Sequence, residues 1–274
     1  MVLFPNSKIN LGLNVVRKRP DGYHDLETVF YPIAIKDALE VIQDDNAKEG
    51  IRMSLSGISF DGKPEDNLCV KAYWLLKEDF PLLPAVMMHL HKTIPMGSGL
   101  GDGSADGAFA LTLLNKKFDL GLSTNQLINY ALELGSDCPF FIMNKPCFAT
   151  GRGELLKPVS VDLSGYKLAV INPGIHVQTT EAFSLLKPVF PSKSINEIIQ
   201  QPIETWKMEL KNDFEEAVFK KYPELETIKT RLYGSGAVYA SMTGSGSTIF
   251  GIFKKDTELR NDFRQGYFIK ELVS

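Results

Sequence analysis

One segment constrains the fold of this chain more than any other: residues 94–106, with the sequence IPMGSGLGDGSAD. Glycine occupies four alternating positions in it, and an apolar, helix-forming run follows. Because glycine has no Cβ atom, it lets a ligand come within hydrogen-bonding distance of backbone N–H groups. A glycine loop that opens a helix also directs free N–H groups and the positive end of the helix dipole towards one point. The segment therefore predicts a phosphate-binding loop, with a mobile surface loop as the alternative.

The spacing of these glycines excludes the two commonest phosphate-binding loops. The dinucleotide-binding sequence G-x-G-x-x-G needs a glycine at position 102, 104 or 106, where Asp102, Ser104 and Asp106 stand. A Walker loop needs a lysine directly after its last glycine, and none follows any glycine of this segment. The loop therefore belongs to another class of phosphate-binding protein.

The composition is typical of a globular protein with a sizeable core. The chain has 274 residues, of which 44% are hydrophobic and 23% charged. Its net charge of −3 and the lack of a basic run argue against a nucleic-acid-binding surface. No apolar run approaches the ~20 residues that span a bilayer, and the first residues lack a signal-peptide pattern, so we expect a cytoplasmic protein. Cys69, Cys138 and Cys147 lack metal-binding spacing and are expected to be reduced thiols.

The first strand carries polar residues on one face. Residues 7–16 alternate between apolar and polar side chains, which predicts a β-strand. Lys8 and Asn10 lie on its polar face, so this face is a candidate polar site. The short apolar runs at residues 39–42 and 51–55 are predicted to continue an antiparallel pattern.

Capping residues predict where three helices begin. Asp66 is the predicted N-cap of a helix over residues 68–77. Ser104 is the predicted N-cap of the helix that follows the glycine segment. Residues 123–126, with the sequence STNQ, form a capping box for a helix that ends near Gly135.

Strand runs and helix runs that do not alternate regularly predict an α+β fold. A change in pattern near residues 150–165 predicts a boundary there, which gives an N-terminal domain of residues 1–155 and a C-terminal domain of residues 156–274.

Three segments resemble the phosphate-binding and catalytic motifs of one enzyme family. They are PMGSGLGDGSA at residues 95–105, LGSDCPFF at 134–141 and MTGSGS at 242–247. This combination is similar to the GHMP kinases, the galactokinase, homoserine, mevalonate and phosphomevalonate kinase superfamily. The resemblance covers nearly the whole chain. It implies an ATP-dependent phosphotransferase with a two-domain GHMP kinase fold of the α+β class, a ferredoxin-like C-terminal domain and an active site in the cleft between the domains.

The resemblance also implies that the glycine segment wraps the phosphates of ATP. The residues expected to bind the nucleotide are Asn67 near the adenine and, in the loop, Ile94, Pro95, Met96, Gly97, Ser98, Gly99, Leu100, Gly101, Asp102, Gly103 and Ser104. Asp102 and Asp106 are unexpected there, because bare carboxylates would repel a triphosphate. Each must point away from the phosphates or act through Mg²⁺, whose protein ligands the sequence does not identify.

Asp137 is the predicted catalytic base, because the family's aspartate in the G-x-D-x-P-F context takes the proton of the attacking hydroxyl. Phosphoryl transfer needs an acceptor for one proton in line with the γ-phosphate, and a carboxylate on a turn can supply it. The alternative is a helix-capping or surface aspartate. Lys8 matches the family's lysine that approaches this aspartate, where its charge would keep the carboxylate ionised. The alternative for Lys8 is an exposed lysine on a half-solvated strand.

The segments RPDGYH at residues 19–24 and LETVF at 26–30 resemble one branch of the superfamily. Members of that branch transfer the γ-phosphate of ATP to the 2-hydroxyl of a cytidine-diphosphate substrate in the non-mevalonate route to isoprenoids. The resemblance implies that Tyr23 and Phe183 stack on the pyrimidine and that His24 meets its hydrogen-bonding edge. The other residues expected to bind this small molecule are Asn10, Thr179, Gly244 and Ser245. The alternatives are that Tyr23 packs on its hairpin and that Phe183 fills the core.

A different kinase specificity, a loss of catalytic activity and a metal site are the alternatives to this interpretation. A homoserine- or mevalonate-type kinase would use the same loop. A catalytically inactive nucleotide-binding protein is disfavoured, because such a relative would need neither Lys8 nor Asp137. His89 and His91 alternate on a predicted strand, but a zinc site needs a third ligand and none is near them in sequence. Solvated strand histidines are therefore the favoured interpretation.

Overall fold

The computed structural model describes residues 1–58, 63–258 and 263–273. The strands are β1 (Val2–Leu3), β2 (Asn6–Lys18), β3 (His24–Lys36), β4 (Ala38–Gln43), β5 (Ile51–Gly57), β6 (Val86–Lys92), β7 (Cys147–Gly151), β8 (Leu155–Pro158), β9 (Tyr166–Asn172), β10 (Tyr239–Met242), β11 (Ile249–Lys254) and β12 (Phe268–Val273). The helices are α1 (Leu68–Asp79), α2 (Asp102–Lys117), α3 (Thr124–Leu134), α4 (Cys138–Met143), α5 (Thr179–Ser184), α6 (Ile195–Ile198), α7 (Ile203–Glu209), α8 (Phe214–Lys221) and α9 (Pro223–Gly234).

The chain forms two compact units, and each is built from separate stretches of sequence. Unit 1 comprises Met1–Ser7, Ile33–Met96 and Gly101–Lys145. Unit 2 comprises Lys8–Pro32, Gly97–Leu100 and Pro146–Ser274. Each unit mixes strands and helices, so the predicted α+β class is confirmed. The predicted boundary between residues 155 and 156 stays a prediction.

Unit 1 contains a four-stranded sheet in the order β1-β4-β6-β5. β1 pairs antiparallel with β4 and β4 antiparallel with β6, but β5 pairs parallel with β6. The predicted antiparallel continuation through residues 51–55 is therefore wrong. The physical reason is that α1 lies between β5 and β6 in the chain and supplies the crossover that parallel neighbours need. Helices α1 to α4 pack on one another, and α2 also packs on β4.

Two predicted helix starts need correction. Asn67, rather than Asp66, is the N-cap of α1, and its Oδ1 accepts the backbone N–H of Cys69 at 2.8 Å. Asp66 instead ends a short 3₁₀ turn, which moves the helix start by one residue. The third predicted start is confirmed, because Ser123 and Gln126 form the capping box of α3.

The start of α2 lies earlier than predicted. The helix begins at Asp102, with Gly101 as its N-cap, so Ser104 lies inside the first turn and caps nothing. Gly101 has a φ of +75°, and this left-handed residue ends the loop and admits the first helical residue directly after it.

Unit 2 contains an antiparallel sheet in the order β10-β11-β9-β12. Helices α7 and α9 pack on this sheet, and α8 packs on α9. Its core buries residues from several elements, among them Leu13, Ile171, Phe214, Leu232 and Phe253. A second sheet has the order β2-β3-β7-β8. Residues 8–18 of β2 and residues 24–32 of β3 belong to unit 2.

Across the described part of the chain, every helix is too short or too polar to cross a membrane.

Candidate active site

The first half of the glycine segment, Gly97–Leu100, lies in unit 2 against the turn of residues 243–247. At Gly99 the φ angle is +82°, and an added Cβ atom would lie 2.1 Å from the carbonyl oxygen of Thr243. Only glycine permits two backbone segments to approach this closely. The turn of residues 243–247 thus holds the loop in place by direct backbone contact.

Two backbone hydrogen bonds fix the loop on either side of this contact. The N–H of Thr248 donates to the Ser98 carbonyl at 3.1 Å, and the N–H of Lys8 donates to the Leu100 carbonyl at 2.9 Å. Both bonds use loop carbonyl groups as acceptors. They therefore occupy none of the loop N–H groups, which are the donors that a phosphate needs.

Lys8 and Asn10 form a buried polar cluster in unit 2, with only 3% and 2% of their surfaces exposed. The alternative of an exposed lysine on a half-solvated strand is therefore wrong. Lys8 Nζ donates to Asn10 Oδ1 at 2.7 Å and lies 5.1 Å from the ring centre of Phe30. Asn10 Oδ1 also lies 3.0 Å from Thr243 Oγ1 and accepts the N–H of Gly244 at 2.9 Å. The structure thus joins three residues of the predicted site, Lys8, Asn10 and Gly244.

Asn212, which sequence analysis did not assign to the site, supports the turn that contains Gly244. Its Nδ2 donates to the carbonyl of Met242 at 2.8 Å and to that of Gly244 at 2.9 Å. Its Oδ1 accepts the N–H of Phe214 at 3.0 Å at the start of α8. An asparagine before an apolar run signals a helix start, but nothing local to it indicates a partner 32 residues away.

The predicted pyrimidine-binding side chains pair with neighbours inside unit 2. The rings of His24 and Phe183 are stacked, with centroids 4.6 Å apart and planes at 17°. Phe183 also packs edge-on against Phe214 of the core at 4.9 Å. The guanidinium of Arg152 lies 4.7 Å from the ring centre of Tyr23, which is exposed. Phe183 therefore both contacts the core and forms one side of an aromatic stack.

Two further predicted substrate-binding residues lie close together in unit 2. The hydroxyl oxygens of Thr179 and Ser245 are 3.1 Å apart. The neighbouring Thr248 Oγ1 accepts a hydrogen bond from Asn172 Nδ2 at 2.9 Å. Hydroxyl and amide groups thus converge on the turn of residues 243–247.

In unit 1, Asp137 is the N-cap residue of α4. The next residue, Cys138, contacts the first turn of α2, because its thiol hydrogen-bonds with the Ser104 side chain. Burial raises the pKa of Cys138 to about 12, so this thiol stays protonated and serves packing. Asp137 is thereby held next to the start of the helix that follows the glycine segment.

A cavity in unit 1 lies between the starts of α1 and α2. It is lined by Leu55, Asp66, Asn67, Leu68, Leu90, Lys92, Met96, Asp102, Gly103 and Asp106. Four of these residues belong to the predicted nucleotide site, namely Asn67, Met96, Asp102 and Gly103. Asn67 Oδ1 is already used in capping α1.

Lys92 lies beside the two carboxylates of the loop region, Asp102 and Asp106. Its Nζ lies 2.7 Å from Asp106 Oδ2 and 3.8 Å from Asp102 Oδ2. Both carboxylates therefore lie close to a buried cation, and their orientation towards bound phosphates or Mg²⁺ stays a prediction. Lys92 was not among the predicted site residues, but the alternation in β6 contained a signal for it. Val86, Met88 and Leu90 are buried, and the same period of two places Lys92 on their face.

His89 and His91 bind neighbouring serines of β5. Ser54 Oγ lies 2.8 Å from His89 Nδ1, and Ser56 Oγ lies 2.9 Å from both His89 Nε2 and His91 Nδ1. Within residues 1–58, 63–258 and 263–273, no group of three or more His, Cys, Asp or Glu side chains could hold a metal ion.

Two family profiles match this chain. Residues 67–145 match the N-terminal domain of the GHMP kinases, and residues 196–267 match the C-terminal domain of the same family. The first match contains α1, α2 and Asp137, and the second contains α8, α9 and the turn of residues 243–247.

Relatives from several bacteria match over nearly the full length. A protein from Bacteroides fragilis is 51% identical over 268 residues, which cover 97% of each chain. One from Cytophaga hutchinsonii is 51% identical over 259 residues, which cover 94% of each chain. Both are named 4-diphosphocytidyl-2-C-methyl-D-erythritol kinase.

Solved structures give the same result. A 4-(cytidine 5'-diphospho)-2C-methyl-D-erythritol kinase superposes with a TM-score of 0.79 and 30% identity, covering 92% of this chain and 90% of that one. The mevalonate kinase of Methanococcus jannaschii superposes with a TM-score of 0.72, covering 94% and 92%, but at 12% identity it shows only a shared fold. The chain is therefore a member of the GHMP kinase family, within its 4-diphosphocytidyl-2-C-methyl-D-erythritol kinases.

Proposed function

We propose that this protein transfers the γ-phosphate of ATP to the 2-hydroxyl of 4-diphosphocytidyl-2-C-methyl-D-erythritol, a step of non-mevalonate isoprenoid biosynthesis. The observation that carries the proposal is 51% identity over 97% of both chains to a relative named for that substrate. Membership of a kinase family implies the use of ATP. The assignment of individual residues rests on their match to the family motifs and on the contacts described above.

Phosphoryl transfer needs positioning and charge stabilisation more than covalent chemistry from the protein. We assign the first task to the glycine segment, whose backbone N–H groups and following helix α2 favour the negative triphosphate. The close approach at Gly99 supports this role, because it fixes the loop without using its N–H groups. A loop fixed before ATP binds loses little conformational freedom on binding.

Asp137 is the proposed acceptor for the proton of the attacking hydroxyl. It stands at a helix start, where its position is fixed by the Pro139 turn and by the contact of Cys138 with Ser104. Lys8 is the proposed cation that lowers the pKa of that hydroxyl and keeps the base ionised. Its burial supports this role, because a charge excluded from water acts more strongly on its neighbours.

Mg²⁺ is proposed to arrive with the triphosphate. This ion usually takes one or two protein ligands and completes its shell with phosphate oxygens and water. The oxygen donors of the chain fit that pattern, because the Ser104 hydroxyl lies in the first turn of α2 and Asp137 lies next to its partner Cys138. The bound ion would neutralise charge on the phosphates during transfer.

The cytosine base is proposed to bind beside Tyr23, His24 and Phe183. Burial, followed by the charge of Lys18, lowers the pKa of His24, which favours the neutral imidazole, the form that can both donate and accept hydrogen bonds. Its stack on Phe183 fixes the ring plane. A base edge that fails to pair with a fixed polar group is disfavoured, and this gives discrimination between bases.

The direct test is an ATP-consumption assay of the purified protein with the cytidine-diphosphate compound, its uridine counterpart, homoserine and mevalonate. We expect turnover with the cytidine compound only. Turnover of homoserine or mevalonate instead, or equal use of cytidine and uridine forms, would overturn the assignment.

Two variants test the residue roles. Asp137→Asn removes the proton acceptor and keeps the shape, so kcat should fall by a factor of about 10²–10⁴ while the affinity for ATP changes only a few-fold. Lys8→Met should lower kcat by at least about tenfold through loss of charge. Asp256→Asn, on an exposed turn, is the matched control and should leave kcat unchanged. Near-normal kcat in Asp137→Asn would remove this residue from the mechanism.

A further inference from the structure

Lys92 is the centre of a buried ionic cluster in unit 1. Its Nζ contacts Asp37 Oδ2 at 2.5 Å, Asp106 Oδ2 at 2.7 Å and Asp102 Oδ2 at 3.8 Å. All four side chains are buried or nearly so, with 0–11% of their surface exposed. Neither the family motifs nor the proposed mechanism uses Lys92 or Asp37. Lys92 and Asp37 instead connect the two segments that flank the glycine loop, residues 93–94 and the first turn of α2.

Asp37 connects the cluster to the start of the glycine segment. Its second oxygen, Oδ1, accepts the backbone N–H of Thr93 at 2.5 Å and that of Ile94 at 2.9 Å. These two residues lead directly into Pro95 and Met96. A carboxylate with one oxygen on a cation and the other on two N–H groups has little freedom to move.

Asp102 and Asp106 connect the same cluster to the end of the segment. Asp102 is the first residue of α2, and Asp106 follows one turn later on the same face. Lys92 thus contacts carboxylates on both sides of the glycine loop: Asp37, which bonds to residues 93 and 94, and the two aspartates of α2.

The composition of the cluster argues against a purely stabilising role. Buried ion pairs pay a large desolvation cost, and apolar residues of similar volume are often at least as stable. Here three carboxyl groups surround one ammonium group, and Asp106 Oδ1 is buried without a hydrogen-bond partner. The cluster is imperfect for stability, yet it is bonded to both ends of one loop. These two properties fit a role in fixing the geometry of that loop.

We infer that Lys92 and Asp37 are positioning residues for ATP. They hold residues 93–94 and the first turn of α2 at a fixed separation, so that the cavity lined by Asn67, Met96 and Gly103 is formed before the nucleotide arrives. This inference rests on the proposed function, because it takes the nucleotide to bind at the glycine segment.

The variant Asp37→Asn tests the inference. The amide nitrogen cannot accept from Lys92, so the link between the ammonium group and residues 93–94 is lost with little change of volume. We expect the KM for ATP to rise at least tenfold and the KM for the acceptor to stay within twofold. Equilibrium titration with Mg-ATP should show the same loss of affinity without turnover.

The control variant is Val41→Ala in β4, which removes buried volume from the same unit outside the cluster. It should lower the denaturation midpoint and leave both KM values within twofold. A folded Asp37→Asn protein with unchanged ATP affinity would overturn the inference, and so would equal rises of both KM values. If the wild type binds Mg-ATP but does not phosphorylate the cytidine compound, the proposed function fails while the titration still decides the role of Asp37. A wild type that does not bind Mg-ATP overturns both.

Discussion

Two buried lysines, Lys92 and Lys8, differ in the groups that contact their ammonium nitrogens. Lys92 in unit 1 has the carboxyl groups of Asp37, Asp102 and Asp106 within 3.8 Å. Lys8 in unit 2 donates to the amide oxygen of Asn10, which is also bonded to the turn of residues 243–247. Carboxylates bind the Lys92 ammonium group through charge, whereas the amide oxygen of Asn10 gives the Lys8 ammonium group a hydrogen bond from a neutral acceptor. Asp37 links Lys92 to the backbone N–H groups of residues 93 and 94, whereas Asn10 links Lys8 to the turn of residues 243–247.

The largest expected effect separates the two lysines by stability. Lys92→Met leaves buried carboxylates without their cation and should lower the free energy of unfolding by about 3–5 kcal/mol. Lys8→Met should lower it by no more than about 1–2 kcal/mol, because Asn10 keeps its bonds to Thr243 and Gly244. Denaturant unfolding of both variants measures the difference. Equal losses would remove the contrast between the clusters.

The pH dependence of the free energy of unfolding tests whether Asp106, one of three carboxyl groups around Lys92, titrates in the folded protein. Burial raises the pKa of Asp106 from 3.8 to about 8 despite the opposing charge of Lys92, and the charges of Asp37 and Asp102 add to the rise. Within residues 1–58, 63–258 and 263–273, the Cys69 thiol of α1 also faces Asp106, and burial raises the pKa of this thiol as well. The pKa of Asp106 is higher in the folded protein than in the unfolded chain, so its protonated form favours folding. This contribution to the free energy of unfolding is complete below pH 3.8 and is lost as pH rises towards 8.

The expected size of that effect is about 2 kcal/mol of unfolding free energy between pH 6 and pH 8. Asp106→Asn carries no titrating proton and should lack this part of the slope. The measurement is the denaturation free energy of both proteins at a series of pH values. Parallel curves for the two proteins would show that Asp106 is not the group responsible.

A smaller effect is expected when the Lys8–Asn10 cluster of unit 2 loses one hydroxyl group. Thr243→Val leaves the buried N–H of Asn10 without its acceptor, which lies 3.1 Å away. The cost should be on the order of 1–2 kcal/mol, with no added dependence on pH between 6 and 8. Thr227→Val on the exposed face of α9 is the control, and its stability should change by less than about 0.5 kcal/mol. A strong pH dependence in Thr243→Val would show that ionised groups dominate this cluster as well.

The smallest effect concerns the aromatic stack of unit 2. Phe183→Ala removes one ring of the stack and should raise the KM for the cytidine substrate by a factor of about three to ten, as loss of one stacking contact predicts. The KM for ATP should stay within twofold. Phe190→Ala is the matched control, because that ring is 80% exposed. His24→Ala should in addition lose discrimination between the cytidine and uridine forms, and full retention of it would exclude His24 from base recognition.

Local patterns in the sequence predicted much of the fold. The alternation of apolar residues indicated β2, and the capping box indicated α3. The glycine segment was expected to lead into a helix, and it does. These signals succeed because hydrophobic period and capping chemistry involve residues within one or two turns of each other. The cap of α1 was missed by one residue, since Asp66 and Asn67 can both serve and only the 3₁₀ turn before them decides.

The sequence by itself determined the family, the α+β class and the segments that match the family motifs. Tertiary structure alone decided which side chains meet. Asp37 and Lys92 are 55 positions apart, and Asn10 and Thr243 are 233 apart. It also decided that β5 runs parallel to β6 and that the polar face of β2 is buried. The physical reason is that periodicity specifies which face of an element is buried, whereas the partner on that face is chosen by packing between distant segments.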